Sequence, residues 1–213
     1  MALNVETVYR VILGFIIVTA AAIGIPSRLR ADRAGGRVSP RVDPPWFWVV
    51  MAIAGPPLAV SCLGFLIQPR WVDFALIDLP PWLRLMGAPI ALAGVVLFGW
   101  MFRHLGLNVT STSMPRANAT LVTSGPYRWV RHPMYSAALL LVVAATLLTA
   151  NIVVAIGGIT MFVLLAARSR IEEQRLVERF GESYRNYQRT TGRFLPRLRR
   201  TDDGGSLGPG GVL

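Results

Sequence analysis

The chain has 213 residues, of which 53% are hydrophobic and only 15% are charged. With a mean hydropathy of +0.49, this composition excludes a soluble globular domain, because no core of this size needs so much apolar sequence. The formal net charge is +11, and every basic side chain apart from the histidines is arginine. The use of arginine without lysine points to a bacterial source. The single Cys62 lies in an apolar run, so we expect no disulfide framework.

Five apolar segments predict an all-α, polytopic integral membrane protein with five transmembrane helices. The expected spans cover residues 11–25, 46–67 and 82–102, followed by a hairpin of residues 134–149 and 152–167. Each arm of the hairpin is shorter than the roughly 20 residues of a full span. We therefore expect both helices to extend beyond their apolar parts, the second one into the cytoplasm. The Gly55-Pro56-Pro57 run is expected to kink the second span.

The charges of the connecting segments predict the orientation. Residues 26–45 carry five arginines against two aspartates, whereas residues 68–81 carry one arginine against two aspartates. Cytoplasmic loops of membrane proteins are enriched in basic residues. We therefore expect the N-terminus outside and the C-terminus in the cytoplasm, in the inner membrane of a bacterium.

Three regions follow from this pattern. Residues 1–102 are expected to form the first three transmembrane helices. Residues 103–196 hold a basic loop, the hairpin and short C-terminal helices, which we expect to form a second, C-terminal region. Residues 197–213 are rich in glycine and lack periodicity, so we expect a disordered tail.

The stretch 121–135, LVTSGPYRWVRHPMY, is polar, aromatic and basic, and it leads into an apolar helix. Gly125-Pro126 predicts a turn, and Pro133 suits the first position of the next helix, which leaves His132 at the N-cap. A helix N-terminus offers free N–H groups and the positive end of a dipole, so this stretch predicts an anion-binding site. On the residues alone an alternative stays open, namely a juxtamembrane loop that contacts lipid headgroups.

A second polar element follows the hairpin. Residues 168–180 contain neither glycine nor proline, and Gly181 is a natural stop, so a continuous helix is expected. Helical spacing directs Glu172 and Glu173 to different faces, with Arg168 and Arg170 as candidate salt-bridge partners. Glu173 lies on the more apolar face, where a carboxylate needs a partner.

Four motifs in this region occur in a fixed order. They are TLVTSGPY at 120–127, RHPMY at 131–135, R-x-x-x-E-E-x-x-L at 168–176 and FGESY-x-x-Y at 180–187. Together they closely resemble the isoprenylcysteine carboxyl methyltransferase (ICMT) family, over residues 119–196. The first hundred residues resemble that family only in being apolar helices.

The resemblance implies S-adenosylmethionine as the cofactor and assigns its contacts residue by residue. Arg168 matches an arginine that contacts the substrate, and with Arg131 it is expected to orient a substrate carboxylate by paired hydrogen bonds. Thr112 falls near a further polar contact with the cofactor. The implied cofactor-binding residues are Thr120, Leu121, Val122, Tyr127, His132, Pro133, Met134, Tyr135 and Glu172, with Glu173 as the other candidate of the glutamate pair.

The resulting hypothesis is a membrane methyltransferase that uses S-adenosylmethionine and acts on a lipophilic or lipid-like acceptor, possibly a carboxylate. No P-loop or Gly-x-Gly-x-x-Gly fingerprint occurs in the sequence, so the cofactor would be held by helix ends and loops. The bilayer is the expected partner, with neither nucleic acid nor metal. Two alternatives remain, a membrane NADPH-dependent sterol or steroid reductase and a non-catalytic scaffold. The paired glutamates with RHPMY favour the methyltransferase.

Overall fold

The computed structural model describes residues 5–36, 39–110, 112–115 and 119–197. This part of the chain is helical, with no strand beyond two isolated bridges. The tail expected from 197 onwards lies outside the described residues except for its first position. The helices are α1 (Val5–Gly35), α2 (Pro45–Ile67), α3 (Pro81–Leu85), α4 (Gly87–Leu105), α5 (Pro133–Thr149), α6 (Ile152–Phe180) and α7 (Glu182–Thr190).

Four helical segments are long and apolar enough to cross a membrane. They are α1, α2, the unit Pro81–Asn108 that contains α3 and α4, and α6. α5 is also apolar, but it has only 17 residues. The all-α membrane architecture is thus confirmed, while the fifth span stays a prediction.

α1 is longer at both ends than the predicted span 11–25, and it continues ten residues into the predicted loop. The sequence reading ended the helix at Pro26, but this proline lies inside α1. Its neighbour Ser27 donates its hydroxyl hydrogen to the Ile23 carbonyl at 2.7 Å. Leucine, alanine and arginine, which favour helices, make up most of the following residues. Arg28 and Arg30 are therefore helical residues and not loop residues.

The predicted third span, 82–102, is divided at Met86 into the short α3 and the longer α4. Pro89 explains the division, because a proline cannot donate to the carbonyl four residues earlier and its ring crowds that carbonyl. In contrast, Pro56 and Pro57 lie within one uninterrupted helix, α2.

The predicted hairpin of α5 and α6 is confirmed, and its turn is the pair Ala150-Asn151. Ala150 has a left-handed backbone, with φ of 47°. The Asn151 side chain caps α6 by accepting hydrogen bonds from the N–H groups of Val153 and Val154. The two arms approach closely at Gly158, where a Cβ would lie 2.2 Å from a Val142 methyl carbon. Small residues allow such contact between membrane helices.

The bundle has two differently built ends. α1, α4 and α6 run in one direction, and α2 and α5 return. At one end, called here the closed end, an apolar core cluster includes Tyr9, Leu13, Phe65 and Leu148. At the other end a second cluster includes Met101, Phe102 and Tyr127. We call this the cavity end, because the polar residues predicted for the site gather beside that cluster.

Candidate active site

The loop before α5 adopts the predicted turn and is bound to the C-terminal segment. Gly125 has φ of 58°, and a Cβ there would lie 2.3 Å from the His104 ring, so both the backbone and the space require glycine. A 3-10 helix follows over Gly125–Arg128. The N–H groups of Arg131 and His132 then donate to the carbonyls of Gly192 and Arg193, at 2.8 and 3.0 Å. These contacts fix the approach to α5.

His132 occupies the predicted N-cap of α5, with Pro133 as the first helical residue. Its side chain does not cap the helix. The imidazole is buried, and it stacks on Tyr135 with the rings 5.3 Å apart and 3° from parallel. Nε2 lies 3.0 Å from a Glu173 oxygen, and Nδ1 lies 3.8 Å from a Glu172 oxygen. The ring therefore connects the start of α5 to both glutamates of α6.

The two glutamates have different surroundings, as their spacing predicted. Glu173 accepts from Arg131 Nε at 2.9 Å and from the Gln188 amide at 3.3 Å, and Arg193 lies 3.6 Å away. Arg131 thus takes the place of Arg170, the partner suggested by helical spacing. Glu173 is enclosed by these groups and does not line the cavity described below.

Glu172 points to a different side of α6 and lines the cavity. It accepts a hydrogen bond from the Tyr135 hydroxyl at 2.9 Å, and 28% of its side chain is exposed. Its carboxylate is therefore anchored on one side and accessible on the other.

Arg168 is buried and forms a two-pronged salt bridge with Asp43, a residue that the sequence analysis did not single out. Arg168 Nε and Nη2 donate to the two Asp43 oxygens, both at 3.2 Å. The guanidinium also lies 4.8 Å from the centre of the Phe47 ring. Asp43 Oδ1 accepts further hydrogen bonds from the backbone N–H and the hydroxyl of Ser113. This bidentate geometry fixes the orientation of the guanidinium.

Arg131, the other predicted catalytic residue, is also engaged by protein groups. Besides Glu173, its guanidinium donates to the backbone carbonyls of Gln188 and Thr191. It therefore links α6, α7 and the C-terminal segment, although part of it borders the cavity. The guanidiniums of both predicted catalytic arginines, Arg131 and Arg168, are therefore bound by protein groups.

A cavity of about 990 Å³, including its open mouth, lies among these elements. Every residue predicted for the site except Glu173 lines it, and so does Thr112. Further lining residues, absent from the predicted set, are contributed by α1, α4, α6, α7 and the loop after α4. They include Arg28, Phe102, Asn108, Thr110, Ser113, Leu176, Phe180, Tyr184 and Tyr187.

Some of these additional residues had a signal in the sequence. Tyr184 and Tyr187 belong to the fourth motif, and they lie on the buried side of the amphipathic α7. Burial raises the pKa of Tyr184, Tyr187 and Tyr127, and nearby glutamate charges raise each further. Their hydroxyls therefore stay protonated near neutral pH. Arg28 had no such signal, because a basic residue after a span fits an ordinary cytoplasmic loop.

Among the described residues, no group of three histidine, cysteine or acidic side chains is arranged to hold a metal ion. The fold and the cavity define an integral membrane protein with a cavity, lined by both polar and apolar residues, at one end of an apolar helix bundle.

Comparisons with known proteins support the family resemblance. A family model described as phospholipid methyltransferase matches residues 82–183. A methanethiol S-methyltransferase of Pseudomonas deceptionensis is 43% identical over 35% of this chain and 28% of its own length. The protein-S-isoprenylcysteine O-methyltransferase of Xenopus laevis is 30% identical over 59% of this chain and 47% of its own length. A cobalt-zinc-cadmium resistance protein of Cupriavidus metallidurans is 38% identical over 39% of this chain and 38% of its own.

A solved structure of the eukaryotic intramembrane Ras methyltransferase ICMT has the same fold. The TM-score is 0.52 and the sequence identity 19%, with 84% of this chain and 60% of that chain covered. The chain is thus similar to membrane methyltransferases of the ICMT and phospholipid methyltransferase kinds. The family resemblance found in the sequence is thus confirmed. The matched region spans less than half the length of each of the three relatives named above.

Proposed function

We propose that this protein transfers a methyl group from S-adenosylmethionine to a lipophilic acceptor at the membrane surface. One observation carries the proposal. Eleven of the twelve residues that the motifs nominated, drawn from a loop and two helices, line the same cavity. Scattered surface residues would not converge in this way, and the family contains methyltransferases.

The chemistry of the cavity fits this cofactor. S-adenosylmethionine has an ammonium and a carboxylate, a positively charged sulfonium, ribose hydroxyls and a flat adenine ring. The cavity offers the exposed part of the Glu172 carboxylate, the start of α5 at Pro133, and apolar or aromatic side chains such as Leu121 and Tyr127. When bound, the cofactor supplies an electrophilic methyl group.

The ion pairs around the cavity also favour a cation. Asp43 neutralises Arg168 and Glu173 neutralises Arg131, while the nearest recorded contacts of Glu172 are a neutral tyrosine hydroxyl and an imidazole. Among the described residues, no arginine pairs with Glu172, and its carboxylate borders the cavity. An ammonium or sulfonium close to it would be stabilised, because the surrounding helices lower the local dielectric constant.

The acceptor is expected to approach through the apolar part of the bundle. The resemblance implied that Arg168 helps to orient an acceptor carboxylate, which would place an anion beside its guanidinium. Asp43 already supplies such an anion, so the acceptor does not need to carry one. Two of the three named relatives are a methanethiol S-methyltransferase and an isoprenylcysteine O-methyltransferase, so their acceptor atoms are sulfur and oxygen. Methyl transfer requires alignment and exclusion of water more than proton transfer, which a bilayer-embedded cavity provides.

A binding experiment tests the proposal. Purified protein is titrated with S-adenosylhomocysteine or NADPH, and the melting temperature and calorimetric affinity are recorded. We expect S-adenosylhomocysteine alone to raise the melting temperature, because a ligand that binds only the folded state stabilises it. Glu172→Gln should weaken this binding about tenfold to a hundredfold, as expected for loss of a charged hydrogen-bond partner.

Glu178→Gln is the matched control, since Glu178 lies exposed on the same helix and does not line the cavity. It should leave the affinity unchanged. Stabilisation by NADPH alone would favour the reductase alternative. If neither ligand raises the melting temperature, the result would favour the non-catalytic scaffold.

We further propose that the chain crosses a bacterial inner membrane five times, with the N-terminus outside and the cavity end in the cytoplasm. Arg28, Arg30 and Arg33 all lie on the last turns of α1, which end at the cavity end. A reporter fused at Asp73 should be active outside, and one fused after Leu213 should be active in the cytoplasm. A cytoplasmic signal at Asp73 would overturn this orientation.

A further inference from the structure

A groove separate from the cavity lies between α1 and α4. It contains about 1,700 Å³ of empty space, including its open side. Phe102 contributes to both the groove and the cavity, so its side chain stands between them. The groove has no part in the proposed methyl transfer, and its occupant must be inferred from its own chemistry.

The middle of the groove is apolar, and a glycine keeps it open. Ile23 from α1 and Val95 and Val96 from α4 form its walls. Gly99 lies between the helices, where a Cβ would be 3.5 Å from the Ile23 side chain. A larger side chain at this position would extend into the groove. The Ser27 hydroxyl, which also lines it, is already hydrogen-bonded within α1.

One end of the groove is strongly basic. Arg30 and Arg103 both line it and are exposed. Arg30 lies seven residues after Ile23 on α1, and Arg103 lies seven or eight residues after Val96 and Val95 on α4. These spacings correspond to about 10–12 Å along the helix axis. Because α1 and α4 run in the same direction, both guanidiniums lie at the cavity end. Trp100 lies beside them and packs edge to face against Trp129, at 5.3 Å. Tryptophan is typical of the membrane interface.

Two like charges at one end of an apolar groove repel each other unless an anion lies between them. In the described part of the chain, neither Arg30 nor Arg103 joins an ion pair. Basic pockets between membrane helices bind anionic lipid headgroups. We propose that this groove is a binding site for an anionic phospholipid, with the phosphate at Arg30 and Arg103 and an acyl chain along Ile23, Val95 and Val96.

Native mass spectrometry of the detergent-purified protein tests this site. The protein is titrated with phosphatidylglycerol and, separately, with zwitterionic phosphatidylcholine. We expect wild type to bind phosphatidylglycerol preferentially. The double variant Arg30→Gln/Arg103→Gln should bind it about 25-fold more weakly, because each basic side chain near an anionic lipid contributes about a factor of five. Equal affinity of the wild type for the two lipids would overturn the proposal.

A matched double variant controls for net charge. Arg170 and Arg189 are exposed near the same end of the bundle and do not line the groove. Arg170→Gln/Arg189→Gln removes the same two charges, so it should retain the preference. If it loses affinity equally, the preference reflects general charge, and the proposed site is wrong.

The acyl-chain part is tested by filling the groove. Gly99→Leu should lose phosphatidylglycerol binding, whereas Ala93→Leu should not, because Ala93 is exposed on α4 outside the groove. Unchanged binding in Gly99→Leu would overturn the placement of the chain. The same spectra report oligomeric state. A wild-type dimer that Gly99→Leu converts to monomer would assign the groove to a second copy of the chain and overturn the lipid site.

Discussion

The two ends of the bundle each contain an arginine paired with a carboxylate, but the space around the pairs differs. At the closed end, Arg84 pairs with Glu6, donates to the Leu148 carbonyl at 2.8 Å and lies 4.2 Å from the centre of the Tyr9 ring. Apolar side chains fill the surrounding volume. At the cavity end, Arg168 pairs with Asp43 beside about 990 Å³ of empty space.

The arginine–carboxylate ion pair therefore has a different role at each end of the bundle. A partly buried arginine needs partners wherever it occurs, so the Arg84 pair is explained by partnering the donors at its two terminal nitrogens. The Arg168 pair does the same, but it also holds a charged group at the wall of a ligand-sized cavity. An ion pair in a membrane helix therefore indicates a functional site only when empty space adjoins it. The following predictions test that distinction.

The largest effect is expected from Asp43→Ala. This change leaves the buried Arg168 guanidinium without its carboxylate and should lower the free energy of unfolding by about 3–5 kcal/mol. The measurement is unfolding by SDS in mixed micelles. Adding Arg168→Leu to the same chain should restore part of the loss, because it removes the uncompensated charge. A double variant less stable than Asp43→Ala would contradict the coupling of these residues.

A smaller effect is expected from Glu173→Gln, with its neighbour Glu172→Gln as the matched comparison. Glu173 is enclosed by Arg131 and His132, so its neutralisation should lower the free energy of unfolding by about 2–3 kcal/mol. Glu172 faces the cavity, and its change should cost less than about 1 kcal/mol while weakening S-adenosylhomocysteine binding. If Glu172→Gln lowers the free energy of unfolding more than Glu173→Gln does, then Glu172 has the structural role and the assignment of the two glutamates is wrong.

Arg84→Gln tests the closed end. Glu6 is 40% exposed at its side chain, compared with full burial of Asp43. Water therefore compensates part of the loss, and we expect the free energy of unfolding to fall by about 1–2 kcal/mol. The affinity for S-adenosylhomocysteine, measured by calorimetry, should be unchanged. A weaker affinity in this variant would show that the two ends are coupled.

The smallest effect is expected where backbone conformation alone changes. Ala150 at the closed end has φ of 47°, which costs an alanine more than a glycine. Ala150→Gly should raise the free energy of unfolding by about 0.5–1 kcal/mol. Gly181→Ala provides the opposite case, since Gly181 ends α6 with φ of 55°, and it should lose about 1 kcal/mol. The same sign in both variants would contradict the backbone argument.

The sequence by itself determined the features that depend on neighbouring residues. Apolar length predicted the membrane helices, and the Pro133 and Gly181 signals located the start of α5 and the end of α6. Helical spacing correctly separated the directions of Glu172 and Glu173. The order of the motifs pointed to the family resemblance, and nearly all the residues that the motifs nominated line the cavity. These features succeed because capping, turn chemistry and periodicity act over only a few residues.

Only the tertiary structure decided which distant groups meet. Asp43 and Arg168 are 125 positions apart, and Arg131 and Glu173 are 42 positions apart. Periodicity tells which face a residue occupies but not which helix covers that face. It therefore offered Glu172 as the partner of Arg168, and Arg170 as the partner of Glu173. It also ended α1 at Pro26, whereas the packed helix continues through this proline to Gly35. The cavity itself arises from helix packing, which brings α1, α4, α5, α6 and α7 together at one end.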